Sequence, residues 1–154
     1  MLSEEKRRYS KPVHITSTLQ QDAYNFYKFD SKKTMRIAQK LYEGVDLGNG
    51  NVGLITYMRT DSVRINPLFI NLAKKYIEEN YGTDYVGVAK VGNKTNGKAP
   101  VQDAHEGIRP TDIQLLPETI KEHLGKDEYK LYKLIYYRTI CSMMKEEIYQ
   151  QDKV

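Results

Sequence analysis

Gly53-Leu54-Ile55-Thr56-Tyr57-Met58-Arg59-Thr60-Asp61-Ser62 is the stretch on which the interpretation of this chain turns. Leu54, Ile55 and Thr56 make a short, mainly apolar run that predicts a strand, and the side chains of a strand alternate between its two faces. Tyr57 and Arg59, two residues apart, are therefore expected to project together, with Asp61 beside them if the extended backbone continues that far. A phenol is a poor nucleophile near neutrality because its pKa is about 10. A guanidinium next to it helps to ionise it and grips a phosphate oxygen through a planar fork. Tyrosine beside arginine is thus a pair suited to covalent attack on a phosphodiester. The plainer interpretation of the same spacing is a strand end with an exposed aromatic and a solvated arginine.

Around this stretch the signals are mostly helical. Ser17 or Thr18 is placed to cap a helix running to about Tyr27, and Asp30 or Ser31 to cap a second from Lys32 to Glu43. In the second helix Met35, Ile37, Ala38, Leu41 and Tyr42 fall largely on one side, and Gly44 is suited to a left-handed stop. Two short helices joined by a tight turn are compatible with a helix-turn-helix unit. Residues 45–52 contain Gly48-Asn49-Gly50, a turn suited to a hairpin leading into the Tyr57 strand. Asn66-Pro67 predicts a helix to about Tyr81, with apolar content from Leu68, Ile70, Leu72, Ala73, Tyr76 and Ile77 and a stop at Gly82. Residues 86–100 are rich in Gly, Lys and Asn and predict a surface loop or loose hairpin. Pro117 opens another helix, interrupted at Gly125. A long one follows from about Lys126 to Met144, with Leu131, Leu134, Ile135 and Cys141 as its core contributors.

The 154 residues fit one domain, or one domain with a stub of another, and 40% hydrophobic residues are enough for a true core. Twenty-four Lys and Arg against 20 Asp and Glu leave a charge of +4, which permits a nucleic-acid partner without demanding one. The single cysteine, Cys141, excludes an internal disulfide and is expected to be a small buried hydrophobe. No apolar run approaches the ~18 residues needed to span a membrane, and the charged N-terminus is followed by no apolar core, so the expected compartment is the cytosol. The thirteen tyrosines are expected mainly at the edges of the core. His14 and His123 have no supporting context and are expected on the surface.

Three blocks resemble the type IA DNA topoisomerases, and specifically their bacterial topoisomerase I branch. Residues 53–62 look like that family's active-site segment. Ala104-His105-Glu106-Gly107-Ile108-Arg109-Pro110-Thr111 resembles its histidine-containing segment, and Ile15-Thr16-Ser17-Thr18-Leu19-Gln20-Gln21 the opening of its tyrosine-bearing domain. The blocks occur in the family's order. Met58 fits the topoisomerase I branch, since proline is usual there in topoisomerase III. Gly107 departs from the more frequent alanine, and residues 45–52 look like a small insertion. The resemblance covers about residues 13–145. It implies an α+β, mostly helical domain of winged-helix (CAP-like) type with short strands. Residues 1–12 would then be a tether or the tail of a preceding domain, and residues 146–154 a return strand or linker.

The resemblance also implies the chemistry. Tyr57 would form a transient 5′-phosphotyrosyl link with one DNA strand, so that negatively supercoiled DNA is relaxed and resealed without ATP. Arg59 would hold a nonbridging phosphate oxygen. His105 would be a further phosphate contact or proton relay; Arg109, expected on one helical face with His105, would touch the DNA backbone or buttress the site. Asp61 would orient Arg59, or else it or Ser62 would cap a turn, and Glu106 would be structural. The family's magnesium is held by a separate acidic domain. The sequence has no Asp-x-Asp-x-Glu cluster, no Cys/His zinc spacing and no phosphate-cradling glycine loop. It therefore reads as a piece of a larger enzyme that cleaves DNA slowly or not at all by itself. Expected partners are single-stranded or underwound DNA at the nucleoid and the remaining domains of the same enzyme, with self-association of the fragment left open. The alternative is a non-catalytic winged-helix DNA-binding module. A tyrosine recombinase is excluded, because its His-x-x-Arg box precedes the tyrosine, whereas His105 and Arg109 follow it at a different spacing.

Overall fold

A computed structural model describes residues 11–48, 50–81 and 106–143. The elements are α1 (Thr16–Tyr27), α2 (Ser31–Glu43), β1 (Val45–Asp46), β2 (Asn51–Val52), α3 (Pro67–Tyr81), α4 (Pro117–Ile120), a 3-10 turn (Lys121–His123) and α5 (Lys126–Ser142). This is the expected α+β, mostly helical class. The loop expected at 86–100, the stop at Gly82 and both termini lie outside the described residues.

Each helix begins where local chemistry satisfies its free N–H groups. Asp30 caps α2 by accepting from Lys33 N at 2.8 Å, as its position predicts. At α1 the expectation needs correction. The N-cap is Ile15, which has no side-chain oxygen, and Thr18 instead reaches back to accept from Ile15 N at 3.0 Å. Asn66 accepts from Leu68 N at 2.7 Å at the head of α3, and Gly125 precedes α5, with Glu128 accepting from its N–H at 3.0 Å. The stops differ in kind. α1 ends on Lys28 in the left-handed region, with φ 63°, and α2 ends on Gly44 with φ 129° and ψ 151°, positive in φ but outside the expected left-handed well.

The core is built around α5. Leu131, Tyr132, Ile135, Tyr136 and Ile140 are buried at helical spacing, and α1 and α2 pack against them and against each other. α2 contributes Met35, Ile37, Ala38 and Leu41, as expected, but Tyr42 stays 40% exposed. In α3 the buried stripe is Phe69, Ala73 and Ile77, while Leu68 and Leu72, counted in its apolar content, face outward. Of the residues expected in the core of α5, Leu134 and Cys141 are only partly buried. Tyr132 and Tyr136 bury whole rings because each hydroxyl finds a backbone acceptor at 2.6 Å, Leu115 O and Ile113 O respectively. β1 and β2 form the expected hairpin, pairing Val45 with Val52 and Asp46 with Asn51. The strand expected at 54–56 is reduced to a single bridge between Ile55 and Pro110.

His14 is a second correction, being fully buried rather than on the surface. Its backbone bridges Ile108, its Nδ1 lies 3.0 Å from Thr18 Oγ1, and its Nε2 lies 3.6 Å from Asp22 Oδ2. Arg138 reaches the same carboxylate at 3.0 Å. Burial first, then the charges of Arg138 and Lys11, lower the His14 pKa to about 3. The unfolded chain therefore takes up a proton near pH 6.5 that the folded chain refuses until about pH 3. Stability should fall as pH drops through this window. Urea midpoints for the parent chain and a His14→Gln variant, measured between pH 7 and 4, should converge as the pH falls.

Candidate active site

Tyr57 and Arg59 sit on a segment held by side-chain hydroxyls rather than by a sheet. Leu54, Ile55 and Met58 are buried at 1% exposure or less and anchor it to the core. It starts against the end of α2, where Leu54 N donates to Leu41 O at 2.8 Å. Gly53 is required by that approach, since a Cβ there would lie 2.8 Å from the Tyr42 carbonyl oxygen.

Three threonines then fix the backbone. Thr111 donates to Gly53 O at 2.8 Å. Thr56 donates to Gly107 O at 2.8 Å and accepts from Arg109 N at 3.0 Å, while its own N–H donates to Arg109 O. Thr16, the first residue of α1, donates to Met58 O at 2.7 Å and accepts from Thr60 N at 2.8 Å. None of these threonines was singled out individually in the sequence; the only available signal was their position inside the three quoted blocks. Thr16→Val keeps the shape and removes both bonds, and is expected to cost about 1–3 kcal/mol by leaving two polar groups short of a partner. Urea denaturation checks this, and Thr16→Ser should recover most of the loss.

The clamp sets which side chains face out. Met58 is fully buried, so its neighbours Tyr57 and Arg59 both turn to solvent, Tyr57 at 45% exposure. The expected strand is absent and the backbone bends at Met58 and Arg59, yet both flanking side chains are exposed. The Tyr57 ring packs edge-on against Tyr42, with centroids 5.2 Å apart. Among the described residues the Tyr57 hydroxyl has no hydrogen-bond partner and Arg59 has no ion pair. Arg59 lines a cavity of about 460 Å³ with Ile15, Thr16, Ser17, Gln20, Thr60 and Asp61, and a second of about 780 Å³ along α2.

The remaining expected site residues divide. Asp61 is exposed and shares the smaller cavity with Arg59, but makes no bond to it. The turn there is capped by Thr60, accepting from Ser62 N, and by Ser62, accepting from Arg64 N, both at 3.1 Å. Arg109 is not helical and is only 8% exposed. Glu106 grips it at 2.7 and 3.2 Å, its Nη1 donates to Pro110 O at 2.9 Å, and its guanidinium lies 4.2 Å from the Phe69 ring centroid. Glu106 also accepts from Asn66 N at 3.0 Å, which fits its expected structural part. His105 lies outside the described residues. Gly107 leaves room that alanine would not, because a Cβ there would collide with the Val13 side chain and lie 3.0 Å from Ser62 O.

Among the described residues no three His, Cys, Asp or Glu are grouped to hold a metal ion, and no helix is long and apolar enough to cross a membrane. The chain has an exposed phenol and, two residues on, an exposed guanidinium that opens onto two cavities, a set able to engage a phosphodiester.

Residues 1–154 match the DNA topoisomerase family. The chain is 49% identical to DNA topoisomerase 1 of Fervidobacterium islandicum over 153 residues, 96% of this chain and 22% of that protein. It is 45% identical to DNA topoisomerase 1 of Campylobacter jejuni over 152 residues, 99% of this chain and 22% of that protein. Among solved structures, full-length topoisomerase I from Thermotoga maritima matches with a TM-score of 0.76 and 42% identity, over 89% of this chain and 21% of that one. The chain thus spans about a fifth of the length of the relatives it matches. On the strength of this agreement in sequence and fold, the chain belongs to the bacterial DNA topoisomerase I family.

Proposed function

We propose that this chain is the nucleophile-bearing part of a type IA DNA topoisomerase, with residues 13–145 as its tyrosine domain. The observation that carries this is that Tyr57 and Arg59 are both exposed on a clamped segment with Met58 buried between them. The Tyr57 oxygen attacks a backbone phosphorus of a single or underwound DNA strand. The O–P bond forms as the bond from phosphorus to the 3′ oxygen breaks; the phenol gives up its proton and the 3′ oxygen gains one. The energy of the broken bond is kept in the 5′-phosphotyrosyl link, so the 3′ hydroxyl reseals the strand without ATP. Arg59 holds a nonbridging oxygen and stabilises the charge that develops on it. Arg59→Ala should slow adduct formation about 10²–10³-fold, and Arg59→Lys should recover only part, because an ammonium lacks the planar fork. Single-turnover cleavage of a labelled oligonucleotide, with a magnesium-binding domain of a bacterial topoisomerase I added, measures both.

His105 is proposed as a second phosphate contact or proton relay. Arg109, enclosed by Glu106 and Phe69, is proposed as a buttress rather than a DNA contact, and Asp61 as a polar wall of the groove holding Arg59. Magnesium, which the family resemblance implies, is assigned to an acidic domain elsewhere in the whole enzyme. This chain alone should therefore cleave DNA slowly or not at all. The order α1, α2, hairpin also favours a second reading, a winged-helix module that binds DNA without cutting it. A covalent-adduct assay decides. Single-stranded oligonucleotides labelled at the 5′ or 3′ end are mixed with the chain, alone and with a separately expressed magnesium-binding domain of a bacterial topoisomerase I. An adduct carrying only the 3′ label, formed only when that domain is added, supports the transesterase. DNA binding that is equal for the chain and its Tyr57→Phe variant, with no adduct from either and a magnesium domain whose productive assembly with the chain has been verified, supports the binding module.

A further inference from the structure

Three cations of α2 stand one turn apart on its outer face. Lys32, Arg36 and Lys40 are all exposed and occupy positions i, i+4 and i+8, about 6 Å apart along the axis. All three line the cavity of about 780 Å³, together with Met35, Gln39 and, from outside the helix, Gln20 and Arg59. Gln20 and Arg59 also line the adjoining cavity of about 460 Å³, so the two form one groove with Arg59 at the junction. Lys33 points elsewhere, to Asp127 at 2.9 Å and over the Phe29 ring at 4.5 Å. Lys32 and Arg36 have no ion pair among the described residues; Lys40 lies 3.9 Å from Glu128 at the limit of one. The link from the stripe to the site segment is Arg59, which lines the same cavity, while Tyr42, in the last turn of α2 but on the other side of the helix, packs on Tyr57. Glu43, bound by the Gln39 amide at 2.6 Å, ends the stripe with the opposite charge.

We propose that this face of α2 is a phosphate track for single-stranded DNA: successive phosphates lie along Lys32, Arg36 and Lys40, and the strand then leaves the helix at Glu43 toward Arg59 and Tyr57. The rise per turn approximates the separation of phosphates in an extended strand, so consecutive phosphates meet consecutive cations. Gln20 and Gln39 supply neutral donors on either side of the path. The destination of the track rests on the transesterase reading, whereas the phosphate contacts themselves require no chemistry.

The test is the salt dependence of binding of the 154-residue chain to a fluorescein-labelled single-stranded oligonucleotide, read by anisotropy. Each phosphate contact to a single strand contributes about 0.7 to the slope of log K against log salt. The triple variant Lys32→Ala, Arg36→Ala, Lys40→Ala should therefore lose about 2 from the magnitude of that slope. The charge-retaining variant with Lys32→Arg and Lys40→Arg should keep it. A control removing three exposed cations that lie outside α2 and both cavities, Lys75→Ala, Lys121→Ala and Lys133→Ala, should change it little. An unchanged slope in the α2 variant, or an equal loss in the control, overturns the proposal. Adduct formation by Tyr57 does not enter this measurement, so the failure of the track and the failure of the transesterase reading are distinguishable.

Discussion

Replacing Tyr57 by phenylalanine is expected to abolish covalent adduct formation completely while leaving the fold and the DNA affinity unchanged. The substitution removes one oxygen and nothing else. That oxygen bonds to none of the described residues, and the ring that remains keeps its edge-on packing against Tyr42. No buried group loses a partner, so the stability change should stay within about 0.5 kcal/mol, as at ordinary surface positions. Among the described residues no neighbouring side chain is placed to take over the attack. Tyr42 touches Tyr57, but it stands on α2, outside the clamped segment that presents Arg59. The check is threefold: adduct on denaturing gels with the magnesium-binding domain present, oligonucleotide affinity by anisotropy, and the urea midpoint. Loss of adduct together with loss of affinity would mean that Tyr57 holds DNA rather than cuts it.

Arg109→Ala should have the largest effect on stability, about 3–5 kcal/mol, the usual cost of removing one partner of a buried ion pair. Glu106 would keep its bond from Asn66 N but lose both contacts to the guanidinium, and its side chain is only 16% exposed. Phe69 would lose the cation over its ring. Arg109→Met, which fills similar volume, should fare better than alanine, and the double change Arg109→Met with Glu106→Gln better again, because no carboxylate is then left without its partner. Urea denaturation with all variants at one pH measures these costs. Activity would fall with stability, but DNA affinity of the folded fraction should hold. A variant that stays fully folded and loses affinity would return Arg109 to the DNA.

What could be read from the residues and what could not follow the reach of the forces involved. The cap at Asp30, the proline at the head of α3 and the hairpin turn are local, and were legible. The exposure of Tyr57 and Arg59 was legible because an apolar Met58 between them is drawn into the core, even though the backbone bends there and no ladder forms. The strand at 54–56 was overestimated because its partner, residues 109–111, supplies only a few bonds, and nothing local reveals how long a partner is. His14 was misplaced for the same reason. Its burial comes from pairing with Ile108, far along the chain, and the only local signs were its apolar neighbours Val13 and Ile15. Arg109 was assigned to a helix from its spacing to His105, but the pairing of Ile108 and Pro110 with distant residues makes that backbone extended.

The hydroxyl clamp around Tyr57 has a consequence for how the molecule comes into being. Its bonds span 42 residues from Thr16 to Met58, 51 from Thr56 to Gly107 and 58 from Gly53 to Thr111. Such contacts close large loops, and chains that depend on them order slowly. Tyr57 is made before the segment that fixes it, and the face that presents it exists only once the start of α1 and the residues after 106 have both been made. A nascent or partly unfolded chain thus carries Tyr57 without the contacts that aim it, so on the proposed reading strand cutting would be withheld until folding is complete.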